Sequence, residues 1–205
     1  MKRLFLSLAG LVVLIASAGA TVVERSYSYF TIGGSTLAEI EEELSRRGPM
    51  VGTTDRRHPG ATRMQFATRV GYGEQNGRCG VLSADVTLKA NMILPRWRVA
   101  RNSDIETRII WDTLAADIRR HEEAHVVIAR NHAREMEQAI LAVQRERNCE
   151  AAEARVNRIR DEVMRRHDEE QARFDRIEAI NFESRMLRLL NYRLERMEDG
   201  RLPLP

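Results

Sequence analysis

The sequence predicts an α+β fold: a small N-terminal antiparallel β-sheet with one short helix, followed by a long antiparallel helical hairpin. Three observations carry this. Between residues 21 and 100, β-branched and aromatic residues alternate with polar ones and are broken by glycine, the pattern of half-buried strands. From residue 103 an apolar repeat of period 3.6 runs through Ile110, Leu114, Ile118 and Ile128. Beyond Cys149 the chain is dense in Arg and Glu at helical spacing, the pattern of charged, solvated helix faces. With 205 residues, 43% hydrophobic and a net charge of only +3, the chain suits one domain with its own core and does not suit disorder.

The first twenty residues stand apart. Lys2-Arg3 is a positive start, Leu4 to Ala16 is almost wholly apolar, and Ala18-Gly19-Ala20 is a small-residue cleavage pattern. This reads as a secretory signal peptide over 1–20, since the apolar run falls short of the ~20 residues that a bilayer core requires. The expected location is periplasmic or secreted, with no stable membrane span after cleavage. A single domain then covers 21–198, β-rich over 21–100 and helical over 103–198, with a tail at 199–205. Nucleic acid is not an expected partner: 30 acids interleave with 33 bases, and no face carries a clean basic stripe.

Element by element, Val22 to Ile32 reads as a strand that Gly33-Gly34 stops. Thr36 with Glu39 forms a capping box for a helix over 37–46, closed by Gly48-Pro49. Residues 50–60 form a loop. Thr62 to Tyr72 alternates as a strand, Glu74 to Gly77 turns, and Val81 to Leu94 alternates again until Pro95 closes it. Ser103 with Glu106 opens the first long helix. Asn148 marks a break near Cys149, and a second long charged helix follows to Glu198. In an oxidising compartment Cys79 and Cys149 can pair. Two cysteines so far apart are a poor zinc pattern, which favours a disulfide over metal ligation or two free thiols.

The chemistry concentrates at His121-Glu122-Glu123-Ala124-His125. Residues i and i+4 on a helix share one face, so both imidazoles can meet one ion, and Glu122 on an adjacent line can serve as general base to a water. These are the residues a zinc-dependent peptidase needs, with Zn2+ as cofactor and a peptide or protein as substrate. Glu123 reads as a solvated charge. His132 lies ~10 Å further along an unbroken helix, too far to share the ion. A third ligand must therefore come from the returning helix, where a turn near Cys149 brings residues around 173 level with His125. The candidates are His167, Asp168, Glu169, Glu170, Asp175 and Glu178; Asp175 is expected to be a ligand or to orient one, with Glu178 and His167 competing for the ligand role.

Tyr27 to Pro49, Thr62 to Phe66, Cys79, Leu94-Pro95-Arg96-Trp97, His121-Glu122-x-x-His125, Cys149 and Phe174-Asp175 together resemble a bacterial family of predicted secreted zinc-dependent proteases, filed as a domain of unknown function. The resemblance implies zinc, peptidase activity and a Cys79–Cys149 bridge. The family's late motif resembles Tyr-Asp-x-x-Thr-x-His-Gly. Here Phe174-Asp175 is followed by Glu178 in place of Thr, Ile180 in place of His and Asn181 in place of Gly. If the family's histidine is a ligand, a carboxylate here takes its place or the site is weak. The expectation is an exported zinc metallopeptidase using His121, His125 and Asp175 with Glu122 as base. The alternative is a catalytically inactive zinc-binding or helical interaction module of the cell envelope.

Overall fold

The computed structural model describes residues 21–51 and 56–205; the expected signal peptide and part of the 50–60 loop lie outside them. The elements run β1 (Val22–Ile32), α1 (Leu37–Arg47), β2 (Ala61–Gln75), β3 (Arg78–Trp97), α2 (Ile105–Leu141), α3 (Cys149–Ile180) and α4 (Phe182–Glu198). The α+β class holds, with the sheet and the short α1 preceding the long helices. Among the described residues no helix is long and apolar enough to cross a membrane.

The three strands are ordered β1-β3-β2. β2 and β3 form the expected antiparallel hairpin, but β1 runs parallel to β3, from Val22 beside Thr87 to Ile32 beside Trp97. The sheet is therefore mixed, not wholly antiparallel. Strand alternation is blind to direction, because both pairings place side chains with period two. The turn is tighter than Glu74 to Gly77. Gln75 pairs with Arg78, and the two residues between, Asn76 and Gly77, both have positive φ, as a two-residue hairpin loop requires. Nor does Pro95 end β3, which continues to Trp97. The β2 pairing ends opposite Ile93, so Pro95 lies where β3 has only β1 beside it and a missing N–H need not break a ladder.

One face of β3 makes the core. Ala84, Val86, Leu88, Ala90, Met92 and Leu94 are all buried, and α2 covers them with Ile118, Val126, Ala129, Ala133, Met136 and Ile140. α3 adds Val156 and Val163. The opposite face carries Asp85, Lys89 and their neighbours toward solvent. A second cluster of Ile32, Ile40, Leu44, Trp97 and Trp111 seats α1, and Trp97 Nε1 donates to the Gly34 carbonyl at 3.0 Å.

Helix ends follow local chemistry. Thr36 caps α1 by accepting from the Glu39 N–H, while the Glu39 carboxylate reaches back to the Ser35 N–H and not to Thr36 itself. α2 is capped by Asp104, whose carboxylate accepts from the Thr107 N–H at 2.6 Å; the expected cap, Ser103, lies one residue earlier with its hydroxyl buried and unpartnered. Asn148 caps α3 through the Ala151 N–H. The expected second long helix is two, broken at Asn181, whose side-chain amide donates to the Ile177 carbonyl.

Cys79 and Cys149 form the disulfide, 70 residues apart in sequence. It fastens the start of β3 to the start of α3, and Cys79 and Glu146 exchange backbone hydrogen bonds beside it. Closing a loop of that length stabilises the fold by about 4 kcal/mol in the chain-entropy model.

Candidate metal centre

The fold sets α2 and α3 side by side, antiparallel, with α2 against the sheet. His121 and His125 lie near the middle of α2 and face α3, one helical turn apart, with Nε2 atoms separated by 3.0 Å. From α3, Asp175 places Oδ1 3.3 Å from His121 Nε2 and 3.1 Å from His125 Nε2. Among the described residues this is the group of His, Cys, Asp and Glu able to hold a metal ion. The Phe174 ring fixes both imidazoles, lying nearly parallel to His121 at 5.0 Å and edge-on to His125 at 5.1 Å.

The outward nitrogens have their own partners. His125 Nδ1 is 2.6 Å from Gln171 Oε1, and His121 Nδ1 is 3.5 Å from Glu178 Oε2. Both acceptors draw the ring proton to Nδ1 and leave the Nε2 lone pairs pointing inward, as metal-ligating histidines require. Two lone pairs and a carboxylate oxygen then face one another with no hydrogen between them, which is repulsive unless a cation or an added proton sits there. The triangle also has the right size. A tetrahedral ion with bonds of ~2.0–2.1 Å needs ligand atoms about 3.3–3.4 Å apart. Two imidazoles, one carboxylate and an open position form a donor set of the catalytic zinc type, so the residues present fit that ion.

Glu122 is buried against the start of β2. The Thr62 hydroxyl lies 2.8 Å from its Oε2 and 3.1 Å from its backbone carbonyl. Gly60 makes this approach possible: a Cβ there would come within 2.9 Å of Glu122 Oε1 and 2.8 Å of Ile118 Cγ2. Burial pushes the Glu122 carboxyl above its ordinary range, against the Thr62 hydrogen bond and the two imidazoles. For His125 burial acts downward, but the contacts with Asp175 and Gln171 outweigh it and the imidazole is raised. Asp175 is held well below the usual carboxylate range, its desolvation more than offset by the two histidines.

These residues line a cleft of about 480 Å³. Ala61, Met64, Ile118, Ala179 and Phe182 give it apolar walls, and His58 also lines it. At one end, buried Asp117 takes Arg120 Nε at 2.8 Å and Arg185 Nε at 3.0 Å. Glu178 pairs with the same two arginines, which depresses its pKa against the effect of burial. This network pins α4 to α2 and α3.

Of the sequence candidates, Asp175 joins the two histidines. Glu178 stands behind His121. His167 lies outside the triad, its ring edge-on to Phe66 at 5.2 Å and its Nδ1 2.9 Å from Asp168. Glu170 pairs with His132 and Glu169 with Arg165. Ile180, at the position of the family's histidine, is 82% exposed and is not part of the cleft lining. Sequence reasoning missed Gln171, Thr62 and Gly60. Only Gln171 left a signal there, lying one turn before Asp175 on the face that meets α2.

Residues 27–182 match DUF922, a family described as a bacterial protein of unknown function. The description names neither a metal nor an activity. No curated protein and no solved structure matches the chain.

Proposed function

The chain belongs to the DUF922 family, and we propose that it is an exported zinc-dependent metallopeptidase. The observation that carries this is the convergence of His121 Nε2, His125 Nε2 and Asp175 Oδ1 at 3.0–3.3 Å, in a cleft that also holds the Glu122 carboxylate. Those three atoms would hold the ion. Bound zinc supplies Lewis acidity, polarising a scissile carbonyl and making a water acidic enough to attack at neutral pH. Glu122 accepts the water's proton on its carboxylate and passes it to the leaving amine. Thr62, on Oε2, holds that carboxylate in place, and Gly60 leaves room for it. Phe174 packs against both imidazoles, while Asp175 stays half exposed, so water can reach the ion's open position. A signal peptide over 1–20 and an oxidising compartment agree with the Cys79–Cys149 bridge.

The test is metal analysis beside digestion of a broad peptide library, wild type against Glu122→Gln. About one zinc per chain is expected in both, with hydrolysis in the variant reduced ~10²–10⁴-fold. A second reading, a zinc-binding interaction module without catalysis, is favoured by exposed Leu187 and Leu194 on α4. Full zinc occupancy without hydrolysis of any library peptide would select it.

A further inference from the structure

We infer that Gln171 is a positioning residue that fixes the tautomer of His125, and that His167, which is not in the metal triad, serves as its anchor. The inference rests on the zinc reading above. It follows from the hydrogen-bond sense of one chain of groups between α2 and α3.

Gln171 has a carbonyl oxygen that only accepts and an amide nitrogen that only donates. Its Nε2 lies 3.1 Å from the backbone carbonyl oxygen of His125 and 2.9 Å from His167 Nε2. A backbone carbonyl can only accept, so the amide nitrogen must face it, and the side-chain orientation is set. The second amide hydrogen goes to His167 Nε2, which must then be the unprotonated nitrogen. The proton of neutral His167 therefore sits on Nδ1, 2.9 Å from Asp168 Oδ1, a carboxylate that can only accept. Both ends of the chain impose the same sense. Burial also keeps His167 in its neutral form by lowering its pKa.

With its amide fixed in this way, Gln171 presents Oε1 to His125 Nδ1 at 2.6 Å. That oxygen accepts the imidazole proton and leaves the Nε2 lone pair free for the ion. The same side chain thus grips His125 twice, at its backbone and at its ring, and ties ring rotation to the position of α3. His121 has a looser support, with Glu178 at 3.5 Å shared with two arginines. His125 thus has the tighter support of the two imidazoles, through Gln171.

The test uses the full mature chain, zinc titration against a competing chelator, and NMR of the histidine side chains in the zinc-loaded protein. Gln171→Leu removes the acceptor and is expected to weaken zinc affinity ~10–100-fold. It should also abolish the exchange-protected His125 Nδ1–H signal. Gln171→Glu keeps an acceptor for His125 Nδ1–H but loses both amide donors, so its zinc affinity should fall between those of Gln171→Leu and wild type, with the His125 signal weakened but present. His167→Leu frees one amide hydrogen and should weaken binding less than Gln171→Leu, because the His125 carbonyl still orients the amide. Circular dichroism checks folding of each variant. Wild type that binds zinc, with Gln171→Leu equal to it in affinity and in the His125 signal, would overturn the inference alone. Wild type that binds no zinc would overturn the metal reading and this inference with it. Zinc effects as expected without peptide hydrolysis would leave the positioning role standing and remove the peptidase.

Discussion

Asp175 and Glu178 sit less than one turn apart on α3, and their surroundings divide the work between them. Asp175 shares one oxygen between two imidazoles and, among the described residues, forms no ion pair with an arginine. Glu178 is held by Arg120 and Arg185 and reaches His121 only at Nδ1. Asp175→Ala is therefore expected to reduce zinc affinity by ~10–100-fold or more, the range that loss of even an outer-sphere partner produces. Glu178→Ala should cost less, since Phe174 still orients the His121 ring. Chelator-competition titration of the two variants checks this, and a larger loss at Glu178 would reverse their roles. Both histidines and Glu122 were legible from the spacing of five residues, because helix geometry converts i and i+4 into a shared face. Asp175 was legible once the hairpin was drawn, since antiparallel helices bring levels together by counting. Gln171 and Thr62 were not. Thr62 acts through a side chain on another element and follows no spacing rule; Gln171 lies one turn before Asp175, but Gln occurs on helix faces for many other reasons and its position alone does not single it out.

At the level of elements, patterning placed every strand and the first two helices but was weakest where neighbouring residues compete for one role. Ser103 and Asp104 both precede α2, and both are good caps. The spacing of Ser103 from Glu106 suggested a capping box, but the backbone turns one residue later and gives the Thr107 N–H to Asp104. Asp104→Ala should lower the melting temperature, whereas Ser103→Ala should leave it unchanged or raise it, because the Ser103 hydroxyl is buried without a partner. The backbone hydrogen bond from Thr107 lowers the Asp104 pKa below its unfolded value. Its contribution is thus fully present above the ordinary carboxylate range near ~4 and is lost as pH falls through the depressed folded value. Thermal melts should therefore show the gap between wild type and Asp104→Ala closing in acid; a gap that widens there would contradict the assignment. The break at Asn181 was invisible for a related reason. The residues around it keep helical composition, and the interruption is confined to Asn181, whose φ of −92° and ψ of 1° depart from helical values while its amide bonds back to Ile177.

Across the whole molecule, what composition and periodicity could not supply was the direction of β1. Which of two edges a strand joins, and in which sense, depends on where α1 and the following loop return the chain. Here Ile32, Ile40 and Leu44 gather on Trp97 and Trp111, so packing at the far end of β1 decides the pairing. That parallel register also sets an order in time. β2 and β3 can zip outward from a two-residue turn, but Val22 meets its partner Thr87 only after 65 intervening steps along the chain. Contacts of such separation carry a larger loop-closure cost and form late. The strand that comes first in the described chain is thus the last to find its place. Until β3 arrives, Tyr27 and Tyr29 belong to an unpaired edge open to a neighbouring molecule. Pulse-labelled hydrogen exchange during refolding should find the amides of the β2–β3 hairpin protected before those of β1. Earlier protection of β1 would mean that the Trp97–Trp111 cluster nucleates the fold and the hairpin merely follows.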